Sequence, residues 1–151
     1  MLKVTALATL VAGTLDILFA VILTLLHGRE PADMLRSVAS GPFPAATGMA
    51  ASGAVLGLVV HFALMAAMAA IFVAIARLRP AILRTPYLAA LAYGLVTYFA
   101  MNWLVVPLRF GTPLPPRTLS IATQLFAHIV LVGLPLALIA RYYLLPRARR
   151  I

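Results

Sequence analysis

Long apolar runs separated by short polar segments dominate the pattern of this chain. Four of them reach the length of about 20 residues that a helix needs to cross a hydrocarbon core of about 30 Å. They span about residues 4–26, 53–76, 87–107 and 119–140. The runs are continuous, without the period-two alternation of membrane β-strands, so helices are predicted rather than barrel strands. The sequence therefore predicts an all-α polytopic membrane protein, a bundle of four transmembrane helices.

Helix breakers and charges mark the ends of these runs. Pro107 is predicted to end the third run and Arg141 to end the fourth, because proline cannot continue a helix and arginine favours the membrane surface. The first run is longer than the 7 to 15 apolar residues of a secretory signal peptide. We therefore expect it to remain as the first span.

The first loop carries a helical pattern of its own. Pro31 suits a helix start and Gly41 a helix stop. Between them Met34, Leu35 and Val38 share one face. The pattern predicts a short amphipathic interfacial helix at about residues 31–40. Two roles stay open for it: a connector packed on the bundle, which the pattern favours, and a lid over an outward-facing cavity.

Composition supports a membrane environment. Residues of the apolar class make up 64% of the 151 residues and charged residues 10%, whereas a soluble domain has roughly 45 to 50% and 25%. No polar stretch is long enough for a second domain, so we predict a single transmembrane domain over residues 1–151. The sequence contains no cysteine, which excludes disulfides, thiolate metal sites and c-type haem attachment.

The net charge of +9 is explained by membrane topology rather than by nucleic-acid binding, because the basic residues lie in loops, tails and span ends. Eight fall on the side of both termini and four on the other side, which places both termini in the cytoplasm, where anionic lipid headgroups are the expected partner. A homo-oligomer or a larger membrane complex stays open. The eight are Lys3, Arg77, Arg79, Arg84, Arg141, Arg147, Arg149 and Arg150, and the four are Arg29, Arg36, Arg109 and Arg117.

Polar and small residues recur at helical spacing within the apolar runs. Small residues allow close helix approach, and Gly53, Gly57 and Gly94 are the candidates for helix packing. Polar side chains inside a membrane are costly and mark functional sites by default. The candidates for a buried polar site are Asp16, His61, Tyr98, Asn102, Gln124 and His128.

Four of these residues are predicted to share one depth. A rise of about 1.5 Å per residue puts Asp16, His61, Asn102 and His128 at roughly 18 to 22 Å from the cytoplasmic end. We expect Asp16 to face the bundle interior, within hydrogen-bonding reach of one of the other three directly or through a water. The layer has three interpretations: it fixes helix register, it binds protons or ions through Asp16, His61 and His128, or its histidines ligate haem or a metal.

Two segments carry a family resemblance. Leu-Gly-Leu-Val-Val-His-Phe at residues 56–62 and Gln-Leu-Phe-Ala-His at residues 124–128 resemble the YagU-like family of small bacterial inner-membrane proteins, and the resemblance extends over most of the chain. It implies a bacterial inner-membrane location. It implies no activity.

The sequence itself identifies no reaction. It contains no recognisable pairing of nucleophile and base, no glycine-rich phosphate loop and no paired carboxylates, so a protein without enzymatic activity or cofactor is favoured. A structural or accessory membrane protein is the first interpretation. The alternatives are a small proton- or ion-linked carrier or channel and a b-type haem or metal-binding redox protein.

Overall fold

A computed structural model describes residues 1–146, and within them the regular structure is helical, with no strand. Helices α1, α3, α4 and α5 are each long and apolar enough to cross a membrane, which confirms the predicted apolar spans. Arg147, Arg149 and Arg150, counted above for orientation, lie outside the described residues. The helices are α1 (Leu2–Leu26), α2 (Pro31–Ser40), α3 (Ala51–Leu78), α4 (Pro86–Phe110) and α5 (Thr118–Leu144).

The prediction that Pro107 ends the third apolar helix is wrong. Helix α4 continues through Pro107 to Phe110 and ends at Gly111, whose φ of 62° is left-handed. Proline has no N–H and crowds the carbonyl four residues earlier, here that of Trp103. The helix accommodates both effects by widening into a π turn over Ala100–Val105.

Helix α5 accommodates a proline in the same way. A π turn covers Ala127–Gly133, and Pro135 lies two residues beyond it. The carbonyl that Pro135 leaves without its helical partner is that of Leu131, inside the π turn. In both helices, therefore, a π turn lets the chain stay helical through a proline.

The long helices contact one another unevenly. Helix α5 contacts α1, α3 and α4, and α1 also contacts α3. Between α3 and α4, the Tyr93 hydroxyl donates to the Met68 carbonyl at 2.7 Å, and the Phe72 and Tyr93 rings lie 5.0 Å apart. A hydrophobic cluster fills the half of the molecule near the amino terminus of α1 and the carboxyl end of α5, which we call the terminal half. Its buried members are Ala8, Ala12, Met65, Ala69, Phe72, Ala76, Leu83, Ala90, Val132, Leu136, Ala137, Ala140 and Leu145.

Helix α2 lies against the first turns of α3, at the opposite end of the molecule. A Cβ added at Gly57 would overlap the Leu35 carbonyl of α2, and one added at Gly53 would lie 2.7 Å from the Ala46 carbonyl oxygen. The close approach that Gly53 and Gly57 permit is thus to α2 and the turn after it, not to a second long helix. The α1–α3 crossing instead uses Gly13, where a Cβ would meet the Phe62 ring at 2.7 Å.

Two arginine side chains form polar contacts with α2. The Arg109 guanidinium, at the end of α4, donates to the Ser40 and Gly41 carbonyls at 2.8 and 2.6 Å. These are carbonyls at the carboxyl end of α2, where a cation is favoured. At the other end Arg36 forms an ion pair with Asp33 within the helix. The end of the molecule that carries α2 is called the α2 end below.

Candidate functional site

A cavity of about 340 Å³, the polar cavity, lies where the four long helices carry their polar side chains. Asp16 comes from α1, His61 from α3, Asn102 from α4, and Gln124 and His128 from α5. The structure thus brings five of the six sequence-predicted polar residues into one space. The other lining residues are Val38 of α2, Leu64, Met65, Met68, Met101, Val106 and Val132.

Asp16 and His61 lie next to each other in the wall of this cavity. The Nε2 of His61 lies 2.9 Å from the Gly13 carbonyl oxygen, and a carbonyl only accepts, so Nε2 carries the hydrogen. The other nitrogen, Nδ1, lies 3.9 Å from a carboxylate oxygen of Asp16, which is longer than a hydrogen bond but within the range of an ion pair. With Nε2 protonated, one further proton can reside on either Nδ1 or Asp16. The two side chains therefore form a pair able to share a proton.

His128 is held by a hydrogen bond at each ring nitrogen. The Thr97 hydroxyl donates to the Tyr93 carbonyl at 3.0 Å and so accepts from His128 Nδ1 at 3.2 Å. The Asn102 amide nitrogen donates to the Tyr98 carbonyl at 3.3 Å and lies 3.4 Å from His128 Nε2. Because the amide nitrogen is a donor, Nε2 is the acceptor and the hydrogen sits on Nδ1. The network fixes His128 as a neutral ring with a defined tautomer.

The two π turns carry residues of the site. Asn102 lies in the π turn of α4 and His128 in that of α5. A π turn changes the direction of the side chains around it, and such turns are frequent at functional sites. Sequence reasoning did not identify them. The signal was available, because Pro107 and Pro135 each follow within a few residues.

Two glycines bring α4 and α5 together beside His128. A Cβ at Gly94 would lie 2.6 Å from the Ile129 Cα, and a Cβ at Gly133 would lie 2.5 Å from the Ala90 carbonyl oxygen. The backbones could not approach this closely with larger residues. Gly94 was predicted as a packing residue, whereas Gly133 was not identified from the sequence.

Tyr98, the sixth predicted residue, does not line the polar cavity. It is buried, accepts a hydrogen bond from Trp103 Nε1 at 3.2 Å, and its ring centroid lies 6.1 Å from that of His128. It packs behind His128 rather than facing the space in front of it. Its position is that of a support for the histidine ring.

The hydrogen bonds of His128 oppose haem ligation. Axial ligation by His61 and His128 requires a free ring nitrogen on each, but both nitrogens of His128 are hydrogen-bonded, Nδ1 to Thr97 and Nε2 to Asn102. No group of three or more His, Cys, Asp or Glu within the described part of the chain could hold a metal ion. This donor arrangement does not fit a haem or a metal.

Two further cavities adjoin the polar cavity toward the α2 end. The basic cavity, about 400 Å³ between α1 and α5, includes His27, Arg29, Ser120 and Arg117 in its wall and shares Gln124 with the polar cavity. The apolar cavity, about 380 Å³, lies between α2, α3 and α4. It shares with the polar cavity Val38, Leu64, Met101 and Val106. From the sequence, Arg29 and Arg117 were weighed only as orientation signals.

Comparison of the chain with protein-family models, curated proteins and solved structures finds no match.

Proposed function

We propose that the protein is a small proton-linked carrier or channel for a polar solute, with the polar cavity as its binding site. A single observation carries this proposal: Asp16 and His61 lie 3.9 Å apart in the wall of one cavity. The same wall contains Asn102, Gln124 and His128. Ionisable groups inside a membrane mark proton relays and solute pathways. A cavity of about 340 Å³ is within the size range of small-molecule sites.

The geometry supports this function better than the structural role that the sequence favoured. A layer that only fixes helix register is expected to satisfy its own hydrogen bonds. Here the only polar contact of the Asp16 carboxylate with a described residue is that to His61 at 3.9 Å. The Gln124 amide makes no hydrogen bond to any described residue. Both groups instead face the cavity, where water or a polar solute can pair with them.

The distribution of packing supports access from one side. The hydrophobic cluster closes the terminal half, whereas the three cavities lie toward the α2 end. A mid-membrane site that is closed on one side and approachable from the other is what alternating access requires of one state. Val38 of α2 forms part of the cavity wall, so α2 serves as the cover of the site, the lid of the second hypothesis above.

The membrane placement is part of the same proposal. The eight-to-four division of basic residues supports a four-helix bundle with both termini in the cytoplasm and α2 as an interfacial helix on the outer surface. The YagU-like resemblance supports a bacterial inner membrane. Single cysteines test the orientation, because the natural chain has none. A cysteine at Asp33 should react with an impermeant thiol reagent in intact cells and one at Arg84 should not; the opposite labelling reverses the topology.

Proton movement in proteoliposomes tests the function. Vesicles containing a pH-sensitive dye are given an alkaline interior and then challenged with pools of small polar solutes: amino acids, carboxylates, phosphate and sugars. We expect one pool to accelerate acidification. Asp16→Asn should abolish that effect and keep the fold, since asparagine retains hydrogen bonding and loses the titratable group.

The matched control is Asp33→Asn, which removes the carboxylate of an exposed ion pair that does not line the polar cavity and should leave proton movement unchanged. If Asp16→Asn behaves like the wild type with every pool, or no pool moves protons, the proposed function is wrong and the layer is structural.

A further inference from the structure

The basic cavity concentrates positive charge, and the described residues of its wall include no acidic one. Arg29 follows α1 and Arg117 immediately precedes α5, and both side chains line the cavity beside His27. Neither guanidinium group forms an ion pair or hydrogen bond with any described residue. Two guanidinium groups thus border one cavity without an ionic partner among the described residues.

The other charged side chains at the α2 end either have a partner or do not line the basic cavity. Arg36 pairs with Asp33, and Arg109 bonds to carbonyls of α2. Asp16 lies in the polar cavity. Glu30 is adjacent to Arg29 in the chain, but it makes no ion pair with a described residue and does not line the basic cavity. The positive potential of the basic cavity is therefore left for a ligand.

We infer that the basic cavity binds a small oxyanion, a carboxylate or a phosphate, and that the solute of the proposed carrier belongs to this class. Arginine is the side chain best suited to either group, because its planar fork donates two parallel hydrogen bonds to a pair of oxygens. At about 400 Å³ the space accommodates a small organic anion.

The neutral polar groups of the wall complement such a ligand. The Ser120 hydroxyl makes no hydrogen bond within residues 1–146, so it is free to donate. The hydroxyls of Thr24 and Thr123 instead donate to carbonyls of their own helices. His27 adds no donor of this kind, because Nδ1 donates to the Leu23 carbonyl at 2.6 Å and Nε2 of the neutral ring is then an acceptor.

Gln124 connects this cavity to the proton site. It lines both the basic and the polar cavity, so an oxyanion in the basic cavity shares this side chain with the cavity that contains Asp16 and His61. A monoanion and one proton that move together carry no net charge, which lowers the cost of crossing the membrane interior. This step rests on the proposed function, whereas anion binding itself does not.

Binding to the purified protein in nanodiscs of neutral phosphatidylcholine tests the anion site. Inorganic phosphate, acetate and succinate are titrated calorimetrically. We expect at least one to bind, and Arg29→Gln and Arg117→Gln each to weaken it about tenfold, the loss of about 1.4 kcal/mol of charge-assisted hydrogen bonding. Arg117→Lys should recover part of the affinity, because it restores the charge without the fork. The matched control is Arg84→Gln, which removes one exposed arginine at the other end of the molecule.

The phosphate of a lipid headgroup is also an oxyanion. A second experiment therefore measures the binding of phosphatidylglycerol to the same variants by native mass spectrometry. Soluble-anion binding that both glutamine variants weaken and Arg84→Gln does not supports the inference. Binding of phosphatidylglycerol alone overturns the assignment of the solute class, and affinity unchanged in both glutamine variants overturns the site itself.

The proteoliposome assay separates this inference from the proposed function. Proton movement driven by a neutral solute, with no oxyanion bound, overturns only the anion assignment. Oxyanion binding that never drives proton movement overturns the proposed function and leaves the anion site standing.

Discussion

Replacing Gly57 with alanine should push α2 away from α3. The added Cβ would overlap the Leu35 carbonyl oxygen and lie 2.5 Å from its carbon. Carbon atoms in contact are about 3.5 Å apart, so the α2 backbone must retreat by about 1 Å. The neighbour is backbone within a helix, which cannot turn aside as a side chain can. Overpacking of this kind costs about 1 to 3 kcal/mol.

The displacement should also open the polar cavity, because Val38 is carried on the same helix and lines it. We expect Gly57→Ala to lower the melting temperature in detergent by about 3 to 10 °C. We also expect it to increase the labelling rate of a single cysteine placed at Leu64, a residue of the cavity wall. Gly57→Leu, which adds a larger side chain at the same contact, should disrupt folding.

Gly48→Ala is the matched control. Gly48 lies in the turn between α2 and α3, and a Cβ there has no atom within 4 Å. This substitution should leave both the melting temperature and the labelling rate at the wild-type value. If Gly57→Ala behaves in the same way as Gly48→Ala, α2 does not rest on Gly57 and the account of α2 as a cover for the cavity fails.

Three further predictions concern the site and its cover. Nitrogen NMR of labelled histidine at neutral pH should show His128 with its hydrogen on Nδ1; a hydrogen on Nε2 contradicts the assigned network. Arg109→Gln should raise hydrogen exchange in α2, because it removes two charge-assisted bonds worth about 1.5 to 3 kcal/mol each; unchanged exchange excludes this anchor. Gly94→Ala should destabilise the α4–α5 contact by about 1 to 3 kcal/mol in unfolding experiments, with Gly48→Ala as control, and a neutral result argues against the close crossing.

The sequence was sufficient to predict the long helices and much of the cavity wall. Apolar length predicts membrane helices because every backbone polar group in lipid must be paired within its own segment. Helical spacing and rise then place polar residues of different helices at a common depth. That arithmetic grouped Asp16, His61, Asn102 and His128, which the structure places around one cavity. What each of them does there stays a prediction.

The contacts of α2 were beyond such reasoning. The spacing of Gly53 and Gly57 marks a face where a backbone can approach, but it does not specify which backbone. In the structure that backbone belongs to α2. Likewise, charge counting treats Arg29 and Arg117 as equivalent to any other loop arginine. They border the same cavity because the end of α1 lies beside the start of α5, and no local sequence pattern encodes that arrangement.

The packing of the terminal half indicates how the proposed site would open toward the other side. Ala8 and Ala12 of α1 are fully buried in the hydrophobic cluster there. In lipid such contacts depend on close van der Waals packing rather than on exclusion of water. Helix α1 is the candidate to move, because it carries Asp16 and because its Gly13 carbonyl accepts the hydrogen bond of His61. Adding the shared proton to the pair changes the attraction between α1 and α3 at that point. Proton binding would in this way bias the position of the helix that closes the terminal half, which is the coupling that a proton-linked carrier needs.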